Sequence, residues 1–115
     1  GTGAGEGTTL NIPLPPGSGD EAVLNALKGR VREAVEKFEP EAIVVAAGFD
    51  AHVMDDMSGL VYTTKLYGYL GTFMASWAER YCKGKVLSIL EGGYHLEALP
   101  ASVEAYLAGL SVFID

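Results

Sequence analysis

The sequence is short of side chains that bind metals or form disulfides, with one cysteine, Cys82, and two histidines, His52 and His95. A lone cysteine excludes an internal disulfide framework and a cysteine-rich zinc site, and it fits a reducing compartment, with the cytoplasm as the expected home. Basic side chains are also scarce: 8 Lys and Arg stand against 15 Asp and Glu, for a formal net charge of −7. So few cations cannot neutralise a run of phosphates, which argues against nucleic acid as a direct partner. No run of about 18 apolar residues occurs, and no basic segment precedes an apolar one at the N-terminus, so neither a membrane span nor a secretory signal is expected. What the chain does have is apolar surface. Hydrophobic residues make up 49% of it and its mean hydropathy is +0.20, too apolar for a disordered acidic tail. Its 115 residues suit one small domain, read as a single α/β unit over residues 1–115. The first residue is Gly rather than Met, so the chain is expected to begin inside a longer gene product.

The segment from Gly1 to Gly19 is rich in glycine and holds three of the five prolines. It has one candidate strand, Thr8 to Leu14, closed by Pro15-Pro16-Gly17. Ser18 or Asp20 can cap a helix start, and Asp20 and Glu21 favour the positive end of its dipole. Leu24, Leu27, Val31, Val35 and Phe38 then recur at helical spacing up to Pro40. Ala42 to Ala47 is a continuous apolar run, β-branched at its centre and stopped by Gly48, which predicts a strand buried on both faces of a parallel, helix-covered sheet.

A polar loop spans Asp50 to Ser58, and Tyr62, Leu66, Tyr69/Leu70, Phe73, Trp77 and Tyr81 form an aromatic helical stripe. Val86 to Leu90 predicts another strand, and Leu96, Leu99, Val103, Leu107 and Leu110 another helical face. The order β-α-β-α-β-α predicts right-handed crossovers and an α/β fold with a parallel sheet and flanking helices. About three strands make a small sheet, expected to leave an edge or an apolar face open unless something covers it.

In open α/β sheets ligands gather beyond the carboxyl ends of the strands. Two loops leave such ends here: Gly48-Phe49-Asp50-Ala51-His52, which delivers a carboxylate, and Glu91-Gly92-Gly93-Tyr94-His95, which delivers a phenol and an imidazole. Asp50 and His52 lie two apart, so in an extended segment both face one side and can share a metal. The plainer alternative makes Asp50 a turn cap and His52 a hydrogen-bonded surface residue. Tyr94 is either a site hydroxyl or an aromatic packed over a Gly-Gly turn. Glu91 reads as an acceptor that orders its loop, with pairing to a metal or lysine as the alternative. Asp55-Asp56 reads as solvated, Cys82 as a packing residue, and Ser88 sits mid-strand without a nucleophile elbow. The glycine-rich Gly1 to Gly7 lacks a preceding strand and the Lys-Ser/Thr of a P-loop, which leaves small-ligand binding there as a weak third option.

Three segments in order, Asn11 to Ala22, Ala47-Gly48-Phe49-Asp50-Ala51-His52, and Leu90-Glu91-Gly92-Gly93-Tyr94-His95-Leu96-Glu97-Ala98-Leu99, resemble the histone deacetylase family, in particular its class II and prokaryotic members. The resemblance covers essentially the whole chain. It implies the C-terminal part of an arginase/deacetylase-like three-layer fold and a zinc-dependent amidohydrolase acting on acetyl-lysine or acetylated polyamines. On that resemblance Asp50 is a zinc ligand, Tyr94 polarises the scissile carbonyl, and Gly92 and Gly93 shape the wall of the substrate channel. His52 and His95 match neither the metal nor the base positions, and Asp55-Asp56-Met57-Ser58-Gly59 departs from the usual Asp-Pro-Leu-Gly.

The family's upstream Asp-x-His ligands and its His-His base have no counterpart in this sequence. The chain is therefore expected to carry part of a zinc site, to bind zinc weakly if at all, and to be inactive alone. It is expected to pair with the missing N-terminal part or to self-associate as a dimer. The competing reading is a non-catalytic binding or structural module derived from a deacetylase.

Overall fold

The computed structural model describes residues 1–114. A single turn of 3₁₀ helix at Gly3–Gly5 is followed by an arm without regular secondary structure and then by helix α1, Asp20–Ala26. A π-helical turn, Leu27–Val31, carries α1 directly into α2, Arg32–Phe38. Strand β1, Ile43–Gly48, helix α3, Thr64–Tyr81, strand β2, Val86–Gly92, and helix α4, Ala98–Leu110, complete the chain.

The expected α/β architecture with a parallel sheet and flanking helices is present, but the sheet has two strands rather than about three. Thr8 to Leu14, expected as a strand, has no regular secondary structure and does not pair with β1 or β2. Pro13, Pro15 and Pro16 offer no amide hydrogen, so this arm is poorly equipped to join a ladder. β1 and β2 run parallel, from Ile43 opposite Val86 to Ala47 opposite Leu90. The register then slips by one residue, so that Gly48 lies opposite Gly92 and Glu91 is the extra residue of a bulge.

Neither expected cap forms at α1. The Ser18 hydroxyl donates to the Pro15 carbonyl at 2.7 Å, and the Asp20 carboxylate accepts the amide and hydroxyl of Thr63 instead of its own helix's free amides. Asp20 thereby ties the start of α1 to the start of α3. Val23 and Leu27 are buried with Leu66 and Trp77 of α3, and Val31, Val35, Ile43 and Leu14 pack around them. Phe38, expected on this stripe, is 79% exposed where α2 ends. Glu39, in the left-handed region at φ +51°, stops the helix ahead of Pro40. The Cys82 thiol is buried and donates to the Pro40 carbonyl, which agrees with a packing role.

α3 and α4 pack against each other through small residues, with Gly71, Ala75 and Ala78 buried on α3 and Ala98 and Ser102 on α4. The face expected on α4 is met in part: Leu99, Val103 and Leu110 pack against the buried cluster of Phe49, Tyr67 and Tyr106, whereas Leu107 is half exposed and Leu96, ahead of the helix, almost fully so. The Ser88 and Tyr106 hydroxyls meet at 2.6 Å, which fixes the side of the sheet that faces the helices. Val44, Leu87 and Ile89 point to the other side and are 67%, 57% and 51% exposed. The expectation of a strand buried on both faces is therefore not met, because no element among the described residues lies over that face. No described helix is long and apolar enough to cross a membrane.

Candidate active site

The parallel pairing brings the ends of β1 and β2 side by side, so the two loops singled out in the sequence leave the sheet at the same place. The Phe49 amide donates to the Gly92 carbonyl at 2.8 Å and extends the pairing past the strand ends. Phe49 is buried between Tyr67, whose ring centroid is 4.8 Å away, and Tyr106, at 5.9 Å. This aromatic anchor burdens the motif's second residue with packing and leaves the third, Asp50, at the strand end.

The Asp50 carboxyl lies against the strand ends. A Cβ placed on Gly92 would stand 3.1 Å from its Cγ and Oδ1, and one on Gly48 would stand 3.2 Å from Oδ1. Both positions therefore favour residues without a side chain. Among the described residues the Asp50 carboxylate accepts no hydrogen bond, although the residue is partly buried. Gly93 has φ +131°, and a Cβ there would meet Leu99 Cδ1 at 2.7 Å and Phe49 Cβ at 3.0 Å. Glycine is thus required twice over at that turn, by its backbone angle and by the space. The next residue, Tyr94, is 57% exposed and is not the packed aromatic of the plainer alternative.

Asp55 departs most from expectation. It is 6% exposed rather than solvated, and its Oδ2 accepts the amides of Tyr94 at 2.8 Å and His95 at 3.2 Å. Its Oδ1 accepts the Met57 amide at 3.0 Å, an Asx turn. The Tyr94 amide foremost, with the Met57 and His95 amides, holds this carboxyl below the usual carboxylate range, against the upward push of burial. The available signal was the Asp two residues ahead of Met57 in a loop between strand and helix, but sequence alone does not show amides arriving from 39 residues away. Asp56, by contrast, is exposed.

Both histidines are committed to the fold. His52 is buried rather than on the surface; its Nδ1 accepts the Met54 amide at 3.1 Å, so Nε2 carries the proton and donates to Thr64 Oγ1 at 2.9 Å. His95 Nδ1 accepts the amides of Glu97 at 3.3 Å and Ala98 at 3.1 Å, capping the start of α4. Glu91, expected to order its loop, is exposed, and its side chain makes no hydrogen bond among the described residues. The Tyr67 hydroxyl is buried without a partner, and burial first, then the fields of Tyr62 and Asp50, raises its phenol far above the ordinary range.

A catalytic zinc site takes about three protein ligands and an open position. Among the described residues no group of three His, Cys, Asp or Glu side chains is placed to hold a metal. With both ring nitrogens of His52 already bonded, the Asp-x-His pair is no metal site. Asp50 remains the candidate ligand that the sequence offers.

The family described as "Histone deacetylase domain" matches residues 1–110. "Histone deacetylase 10, chloroplastic" of rice (Oryza sativa subsp. japonica) is 46% identical over 103 residues, 90% of this chain and 23% of the rice protein. "Histone deacetylase-like amidohydrolase" of Pseudomonas aeruginosa is 35% identical over 107 residues, 93% of this chain and 28% of that protein. The crystal structure of an acetylpolyamine aminohydrolase from Burkholderia pseudomallei is similar to 97% of this chain with a TM-score of 0.84 at 32% identity, using 31% of that chain. The family resemblance read from the three motifs is thereby borne out. The chain spans about a quarter to a third of the length of these relatives.

Proposed function

The chain belongs to the histone deacetylase family, and from that membership we propose that it forms part of a zinc-dependent deacetylase centre that hydrolyses the amide of acetyl-lysine or an acetylated polyamine. In this reading Asp50 supplies one zinc ligand, and the other ligands and the general base lie outside residues 1–115. The chain alone then binds zinc weakly and does not turn over. Tyr94 is the chain's own catalytic group. Its phenol donates a hydrogen bond to the substrate carbonyl oxygen as that oxygen gains negative charge, a contact worth about 3 kcal/mol in a water-poor site. Gly92 and Gly93 form the neighbouring wall of the channel.

The observation that carries this reading is the closeness of the Asp50 carboxyl to Gly92, two residues before Tyr94, where an added Cβ would stand 3.1 Å from it. An acid without a hydrogen-bond partner among the described residues thus lies at the root of an exposed phenol's loop, at the end of the sheet where α/β enzymes bind ligands. The open sheet face, with Val44, Leu87 and Ile89, takes the missing part of the domain or a second copy of the chain. The single buried thiol suits a reducing compartment such as the cytoplasm.

The test is zinc binding and hydrolysis of an acetyl-lysine peptide and an acetylated polyamine, by the chain alone and by a protein in which the remaining ligands are present. The chain alone is expected to be inactive. In the complete protein, Tyr94→Phe is expected to lower kcat by about 10²–10³-fold. Turnover by the chain alone would refute the claim that outside ligands are required. Full activity of the complete protein with Asp50→Ala and Tyr94→Phe together would favour the non-catalytic module.

A further inference from the structure

Between the end of β2 and the start of α4 the chain makes no ladder and no helix, yet it carries the exposed Tyr94. Three sets of bonds hold this loop. At its root Phe49 donates to the Gly92 carbonyl, and at its far end His95 caps α4 through its ring and accepts the Leu99 amide at its carbonyl. In the middle, the Tyr94 amide has one acceptor, Asp55 Oδ2, which it shares with the His95 amide.

Asp55 is itself fixed from behind. Its amide donates to the His52 carbonyl at 2.9 Å, and the His52 ring is pinned between the Met54 amide and the Thr64 hydroxyl at the first turn of α3. A continuous set of bonds thus runs from α3 through His52 and Asp55 to the backbone of Tyr94. The same loop, five residues earlier, holds Asp50.

We propose that Asp55 is a positioning residue that sets the Tyr94 hydroxyl relative to the Asp50 carboxylate by clamping the backbone of the Tyr94 loop to the loop that follows β1. The proposal rests on the deacetylase reading for what Tyr94 does, but the clamp itself is a property of this chain. An ionised carboxylate suits the task because both of its oxygens are used as acceptors, Oδ1 by Met57 and Oδ2 by Tyr94 and His95. An asparagine has one acceptor oxygen and an NH₂ group, so it can serve Met57 or the Tyr94 pair but not both. Asp55 is nearly inaccessible, so water does not readily replace the lost acceptor. The expectation that this acid is merely solvated is what hides it from a sequence reading.

The experiment has two arms. In the 115-residue chain, amide hydrogen exchange is followed by NMR in the native protein and in Asp55→Asn, with Asp55→Ser as the second variant should the first give no dispersed spectrum. The amides of Tyr94 and His95 are expected to exchange at least about 10-fold faster, with those of Ala75 and Ala78 in α3 unchanged. Unchanged protection at Tyr94 and His95 overturns the clamp.

In the protein with its zinc centre complete, Asp55→Asn is expected to lower kcat more than it raises KM. It is expected to cause no further loss in a Tyr94→Phe background, because it acts through that phenol. Losses that multiply in the double variant overturn the positioning role, since a general structural defect slows both backgrounds alike. If Tyr94→Phe alone keeps the native rate, the catalytic role of Tyr94 fails and Asp55's catalytic consequence with it, while the exchange arm still reports on the clamp.

Discussion

Gly109 of α4 rests directly on Gly68 of α3, so that a Cβ on Gly109 would overlap the Gly68 carbonyl oxygen and come within 2.8 Å of the Thr72 amide nitrogen. The reciprocal contact is made by Gly71 against the Tyr106 carbonyl and the Leu110 amide. Both collisions are with backbone, which cannot rotate away as a side chain can. Gly109→Ala and Gly71→Ala are each expected to destabilise the chain by about 1–3 kcal/mol through overpacking, even though alanine is the better helix former by about 1 kcal/mol. Urea denaturation of the single variants checks this. A variant at or above native stability would mean that the helices can separate at no cost.

His52 is a structural residue, and its replacement should act on folding rather than on metal affinity. His52→Ala strands the Met54 amide and the Thr64 hydroxyl in a buried place, at a cost of about 1–3 kcal/mol. Thermal unfolding reads that loss, and zinc titration of the same variant should match the native chain. A lower zinc affinity in the variant would restore the Asp-x-His pair as a metal site.

The acid limb of stability has a definite sign. Asp55 has a folded-state pKa below its ordinary value of 3.8, so its contribution is fully present above that value and is lost as pH falls through the depressed one. Urea midpoints measured from pH 6 down to about pH 2 should therefore fall at the acid end in the native chain. Asp55→Asn, with no proton to take up, should show a shallower fall. Parallel acid limbs in the two proteins would contradict the assignment.

The open face of the sheet predicts association. Leu87, Ile89 and Val44 form an apolar surface on a two-stranded sheet whose other side is already filled by α3 and α4. The isolated chain is expected to sediment above its 12.1 kDa monomer mass. Ile89→Glu should move it towards the monomer and lower its capacity to join a complementary segment. A native chain that is monomeric at high concentration would count against the proposal for this face.

Much of the architecture could be read from the sequence, because local patterns and packing agree over Ile43–Gly48, Thr64–Tyr81 and Val86–Gly92. The third strand failed for a reason visible only in three dimensions. Thr8 to Leu14 has a strand-like composition, but a strand is defined by a partner, and Pro13 with the prolines that follow withholds donors. The helical face of α4 was legible in Leu99, Val103 and Leu110, which pack on the core, but its close contact with α3 through Ala98, Ser102 and Gly109 carries little hydrophobic signal. At the site, Asp50, Tyr94, Gly92 and Gly93 were legible as strand-end residues and as motif members. Asp55 and the cap made by His95 were not, since both depend on amides brought close by folding.

The slipped pairing at the end of the sheet also governs charge. Had the ladder continued evenly beyond Ala47 and Leu90, Glu91 would have stood opposite Gly48, and its Cβ would have pointed where Gly92 now leaves room for the carboxyl of Asp50. Two carboxylates would then have been crowded into one crevice, with like charges in contact. One surplus residue turns Glu91 out to solvent, and the crevice beside Gly92 is left to the carboxyl of Asp50.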